Sequence, residues 1–284
     1  MKTPRVAVLI TGLPRFLESG SYWWKNRTFD FDVDFYMHLW GDEHDAERAK
    51  KLWDPVAISY HDQKKYMVDF SRKVREINNT LDPMHWNFMP EKYHNTAAFR
   101  KGLMNDSSRF WGQYLSTYEA SSLVDYSKYD YIIKARSDVI IDDTYDWQEC
   151  FEYIEHRGVF LHWPQNPHLD NNIINTFTIY TPDISLMSAI PQAVDLVFMA
   201  KSKDWRNFSC NIKNNIIDLV TKDKALFYEL KAFKLKYVAH QHWIWNKLCS
   251  YAGQSIVTLS PRMYTCMLRK DVDLTSISFN DLTT

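Results

Sequence analysis

Glycine is scarce in this chain, at 7 of 284 residues. The first glycine turn, in "VLITGLPRF", is not a G-x-G-x-x-G element, so no dinucleotide fingerprint is present there. The four cysteines, Cys150, Cys210, Cys249 and Cys266, show no C-x-x-C pair and no zinc spacing. That excludes a zinc site built on them and predicts reduced, buried thiols in a reducing compartment. Long apolar runs are missing too. "MKTPRVAVLITG" carries a charged head but only five consecutive apolar residues, Val6 to Ile10, too few for a signal-peptide core or a membrane span. The formal net charge is −1, which excludes a general electrostatic grip on nucleic acid and leaves room for a local basic site that binds phosphate. There is no low-complexity tract and no repeat. These absences predict a soluble, cytoplasmic protein, in which the sequons at Asn26, Asn78, Asn105 and Asn207 arise by chance.

What the chain does have is rings. Aromatic residues make up 15% of it, with 11 Trp and 17 Tyr. Rings stack on sugars, but bulky rings also fill a glycine-poor core. The length suits one α/β domain, residues 1–284, with an insertion. "RVAVLITG" reads as a strand covered on both faces, as in a parallel sheet. "FDVDFYMHLWGD" alternates Phe31, Val33, Phe35, Met37 and Leu39 with polar or ring residues, giving a period-2 strand that stops at Gly41-Asp42. "VAISY" is a third strand. Residues 61–106 mix helical and loop-like patterns and read as an insertion or lid. "SSRFWGQYLSTYEASSLVDY" is a helix with a core stripe at Trp111, Tyr114, Leu115 and Tyr118. Later, "GVFLHW", "TFTIYTP", "AVDLVFMAKS" and "SIVTLSPRMYTCMLR" have strand character. "KDWRNFSCNIKNNIIDLVTKD" and "HQHWIWNKLCSYAG" read as helices, the second capped by Gly253. The interleaving predicts a mostly parallel, Rossmann-like central sheet flanked by helices, with a late mixed part.

Three polar clusters fall at strand ends, where open α/β sheets bind ligands. Thr11, Gly12 and Arg15 follow the first strand. Gly12 lets backbone N–H groups approach a phosphate, and Arg15 neutralises one; the plain alternative is a turn with a surface arginine. In "YDYIIKARSDVIIDD", Lys134, Arg136 and Asp138 fall at every second position, so a continuous strand would line them on one face. Asp138, with Asp142 and Asp143 nearby, offers hard oxygen ligands for Mg²⁺ or Mn²⁺. The alternative is an internal Arg136–Asp138 ion pair. The third cluster joins Asp195, placed to act as a general base, with His240 and His242, each a metal ligand, a phosphate contact or a core histidine.

In this order, "VAVLITGLPRF", "FDVDFYMHLWGD", "WGQYLSTYEASSLVDYSKYDYIIKARSDVII" and "AVDLVFMAKSKDWRNF" resemble a group of viral and bacterial glycosyltransferases with the GT-A, nucleotide-diphospho-sugar transferase fold. The resemblance covers most of the chain in outline, leaving out 61–106. It implies that Thr11, Gly12 and Arg15 hold the nucleotide of a UDP- or GDP-sugar donor, and that Lys134 and Arg136 face its diphosphate. It implies that Asp138 is the metal-facing residue of a degenerate D-x-D, with Arg136 at the first position where the family has a carboxylate. It puts Asp195 on the side of a glycan hydroxyl acceptor, and Gln241 or His242 where the group often has a Glu. If the chain is viral, the implied location is the host cytoplasm. Two other readings stand beside it: a metal-dependent phosphohydrolase or nuclease using Asp138, Asp142 and Asp143, and a non-catalytic carbohydrate-binding protein.

Overall fold

The computed structural model describes residues 3–79, 107–141, 146–158, 160–162, 197–221, 245, 248–254, 256–258 and 265–267. In chain order the elements are β1 (Arg5–Gly12), α1 (Leu17–Lys25), β2 (Asp32–Trp40), α2 (Glu43–Trp53), β3 (Ala57–His61), α3 (Gln63–Asn79) and α4 (Ser107–Ser121). A short 3₁₀ turn at Tyr126–Lys128 leads into β4 (Tyr131–Ala135) and β5 (Val139–Ile141). Then come α5 (Trp147–Arg157), β6 (Phe160–His162), β7 (Phe198–Lys201), α6 (Ser202–Ser209), α7 (Ile212–Thr221), β8 (Ile256–Thr258) and β9 (Thr265–Met267).

Seven strands form one sheet in the order β3-β2-β1-β4-β7-β6-β8, and β5 pairs with β9 in a separate ribbon. The strands β3, β2, β1 and β4 are mutually parallel. β7 runs against both of its neighbours, and β6 and β8 return to the common direction. The expected α/β architecture, a mostly parallel sheet flanked by helices, is therefore the one the chain adopts, and the single reversed strand is its late mixed part.

Both faces of the sheet are covered. Val6, Val8 and Ile10 of β1 meet Leu17 and Trp24 of α1, Trp53 of α2 and Phe151 of α5 in one core. Ala7 and Leu9 turn the other way, toward Trp111, Tyr114 and Leu115 of α4 and Trp205 of α6. This explains why β1 reads as a continuous apolar run. The predicted stripe on α4 lies in that second core, with Tyr118 at its margin.

The polar and ring residues that alternate along β2 face a core as well: Tyr36, His38 and Trp40 are buried beneath α3 and α4. The segment 61–106 opens with helix, as its pattern reads. Its first part is α3, whose Met67 and Phe70 are buried in the second core; residues 80–106 lie outside the described ones. The stretch after β7 is two helices, since α6 ends at Ser209 and α7 starts at Ile212. The "TFTIYTP" segment also lies outside the described residues.

Candidate functional site

The order β3-β2-β1-β4 creates a switch point. From β1 the chain winds through α1 toward β2, while from β4 it proceeds toward the other half of the sheet. The loops after these two neighbouring parallel strands diverge, and ligands of open α/β sheets bind in the gap outside such carboxyl ends. The β1–β4 register ends at Ile10 opposite Ala135, so Thr11-Gly12 and Arg136 emerge side by side.

Gly12 has φ of 117°, a backbone state that glycine enters without a Cβ penalty. Thr11 is buried, and its hydroxyl donates to the Ala135 carbonyl at 3.4 Å. Arg15 is exposed. Ser137 ties the two loops together: its hydroxyl donates to the Arg15 carbonyl at 2.7 Å. The start of α1 presses on the same turn. A Cβ at Gly20 would lie 2.1 Å from the Ser137 carbonyl oxygen, so only glycine allows this approach. No side chain caps α1 at Phe16, so its amino end, where backbone N–H groups favour an anion, lies at this junction.

Arg136 and Asp138 form a two-pronged ion pair. Arg136 Nε donates to Asp138 Oδ1 at 2.8 Å, and Nη2 donates to Oδ2 at 2.6 Å. The Asp138 side chain is 4% exposed and that of Arg136 24%. The carboxylate is thus enclosed while the guanidinium still reaches solvent. The internal ion pair is the alternative that forms.

The shared face of Lys134, Arg136 and Asp138 does not. β4 ends at Ala135, and Val139 N–H closes a turn onto the Arg136 carbonyl, so the two-residue period stops before Arg136. Lys134 is fully buried on the second-core side, its ammonium 5.6 Å from the centre of the Trp245 ring. It is a core cation and does not line the site.

The fit to a divalent ion fails at this turn. Each Asp138 oxygen already accepts from Arg136, and the first position of the expected D-x-D brings a positive charge where a cation would sit. Asp142, Asp143, Asp195, His240 and His242 lie outside the described residues. Elsewhere among the described residues, Asp42, His44 and Asp45 bring ligand atoms within 4.8 Å of one another. Asp42 and Asp45 already form the capping box of α2, each satisfying a backbone N–H of the other.

A second polar assembly, which the sequence reading missed, lies under β2 and β3. Ser116 Oγ lies 2.8 Å from His38 Nδ1 and 3.3 Å from the His38 carbonyl oxygen. On the other side of the ring, His38 Nε2 and His61 Nδ1 share a hydrogen bond of 3.0 Å. Burial, aided by His61, lowers the His38 pKa to about 3, so the ring is neutral. Beside it, Glu119 accepts from Tyr66 and from Lys213 Nζ, the latter at 2.7 Å. Burial pushes the Glu119 carboxyl up, but the bonds from Lys213 and Tyr66 outweigh it and hold the group below its usual range. The one signal in the sequence is His38 between the rings of Tyr36 and Trp40 on the same face of β2.

No family model and no curated protein sequence matches the chain. Solved structures are similar to the chain, and one of them illustrates how distant the likeness is. It is the apo form of mouse xyloside xylosyltransferase 1, at 9% identity and a TM-score of 0.43, over 91% of this chain and 86% of that one. No helix among the described residues is long and apolar enough to cross a membrane.

Proposed function

We propose that this chain is a glycosyltransferase that binds the diphosphate of a nucleotide-sugar at the β1–β4 switch point and transfers the sugar to a hydroxyl acceptor on a glycan. One observation carries the reading: the turn bearing Arg15 and the turn bearing Arg136 are bound to each other, beside the uncapped start of α1, at the carboxyl ends of adjacent parallel strands. The family resemblance of the sequence points the same way.

The chemistry follows from charge. Breaking the bond between sugar and diphosphate leaves negative charge on the departing nucleoside diphosphate, and fixed cations aimed there lower the barrier. Asp138 holds the Arg136 fork in one orientation before any ligand arrives, so little reorganisation is needed. Arg15 supplies a second, exposed cation, and Gly12 allows close backbone approach. In this reading Arg136 stands where the family's first carboxylate would hold Mn²⁺ or Mg²⁺, and charge neutralisation runs through arginine. Asp195 is the proposed base for the acceptor hydroxyl, and His242 a proposed phosphate contact; both rest on the sequence alone.

The test is thermal unfolding with UDP, GDP and a panel of their sugars, each with Mn²⁺ and with chelator. A ligand of the native state raises the transition temperature. At least one nucleoside diphosphate is expected to do so in chelator, and Arg136→Ala and Arg15→Ala each to abolish most of the shift. Phosphate release without sugar transfer would favour a phosphohydrolase. Binding of glycan with no response to any nucleotide would leave the non-catalytic reading.

A further inference from the structure

A separate cavity of about 430 Å³ opens at the other end of β4, between the end of α4, the 3₁₀ turn and α6. Its size falls in the roughly 300–1,000 Å³ range of small-molecule sites. β4 is five residues long, so the cavity lies about 17 Å from the β1–β4 loops and is no part of the site above.

The wall has an unusual polarity. Six hydroxyl residues dominate it, and those of Ser122, Tyr126, Ser127 and Ser209 are engaged with the protein, while Ser121 Oγ accepts from Trp205 Nε1. Ser122 donates to the Glu119 carbonyl at 2.7 Å, and Ser127 donates to Asp125 Oδ1, also at 2.7 Å. Tyr126 donates to the Ser121 carbonyl at 2.9 Å, and the bond between Ser209 and Tyr126 is also 2.9 Å. What these oxygens offer to the cavity is acceptor capacity. Asp125 adds a carboxylate. The hydrogen bonds from the Ser127 side chain and backbone hold it below its usual pKa, so it stays charged. Against these acceptors stands one strong donor. The Arg206 guanidinium lines the cavity, and among the described residues it makes no side-chain hydrogen bond and no ion pair.

A complementary ligand carries several O–H donors and at least one oxygen acceptor. Inorganic phosphate at neutral pH carries only one or two O–H donors, fewer than a sugar ring, and its charge meets that of Asp125. An apolar ligand would strip water from every one of these groups without replacing it. We infer that this cavity binds a neutral sugar ring, whose hydroxyls donate to the serine, tyrosine and Asp125 oxygens while one of its oxygens accepts from Arg206. Such a site holds a glycan at a distance from the β1–β4 loops. It does not depend on the transferase reading, because it makes no use of a nucleotide.

Cys210 makes the test site-specific, since its thiol is exposed on the cavity wall whereas Cys150 and Cys249 are buried. The rate of Cys210 modification by a disulfide reagent is measured with methyl glycosides of glucose, galactose and mannose at millimolar concentration, and with inorganic phosphate. The Cys210→Ser protein identifies which phase belongs to this thiol. At least one neutral glycoside is expected to slow the phase several-fold, and phosphate to leave it unchanged. Arg206→Ala is expected to lose the protection while keeping the same unfolding temperature and the same response to nucleoside diphosphates. The inference is overturned if no glycoside slows the phase, if phosphate slows it as much as any sugar, or if Arg206→Ala is protected as well as the parent.

Discussion

The two faces of the central sheet differ in the polar groups they bury. The first, under α1, α2 and α5, is closed by rings. Phe29, Phe31, Trp147 and Phe151 form a chain with centroids 4.9–6.0 Å apart, and Phe35 meets Trp53 edge-on at 5.4 Å. The indole N–H groups of Trp23 and Trp24 are buried there without an acceptor among the described residues. The second face, under α3, α4, α6 and α7, encloses His38, Ser116 and Lys134 and fixes its polar groups by specific bonds. Among the described residues both faces leave some buried donors without an acceptor, Trp245 Nε1 on the second among them; what sets the second apart is that it buries the titratable His38 and Lys134, so it depends on protonation state. The same β2 strand serves both, because alternate residues point to opposite sides.

The contrast is broken most severely at Trp53. It is fully buried, and its indole N–H donates to the Leu17 carbonyl at 3.1 Å. Trp53→Ala is expected to cost about 3–5 kcal/mol of stability in denaturant titration, with little dependence on pH. The second face gives a smaller effect with a distinct signature. His38 is neutral when folded and takes up a proton when unfolded below its ordinary value of 6.5. Its contribution is therefore complete above pH 6.5 and is lost as pH falls toward about 3, with a slope of up to about 1.4 kcal/mol per pH unit. His38→Leu is expected to cost about 1–3 kcal/mol at neutral pH, by leaving Ser116 and His61 without their partner, and to flatten that acid limb. Unchanged acid sensitivity in the variant would show that another group carries it. The smallest effect belongs to Arg48, which joins α2 to Glu18 of α1 across the exposed rim of the first face. Arg48→Ala is expected to change stability by less than about 0.5 kcal/mol.

Much of this was legible in the chain because hydrophobic period reports burial. β1 to β3, the α4 stripe and the alternation of strand and helix could all be read that way. The errors share a cause: period says which residues are alike and not where an element stops. "KARSD" continues the alternation of β4 on paper, but Ser137 is drawn to the Arg15 carbonyl and the backbone turns at Arg136. The β2 residues His38 and Trp40 look polar or amphipathic by type, and only the packing of α4 decides that they are inside: Trp40 Nε1 donates to the Gly112 carbonyl at 2.9 Å. The reversal of β7 was expected only as a late mixed part, since an apolar run carries no direction. At the candidate site, residue type suggested charge at the sheet edge, and the pairing of Arg136 with Asp138 was one of the two outcomes it allowed.

The central pair of strands has a consequence for how the chain is made. Val6 and Tyr131 are hydrogen-bonding neighbours in the sheet, yet 125 residues separate them. At about 5–20 residues per second, a ribosome takes roughly 6–25 s to deliver β4 after β1 has emerged. Throughout that interval the apolar edge of β1 is a bare template for any other nascent strand. The newborn protein therefore leaves that edge unpaired for far longer than an isolated hairpin takes to close.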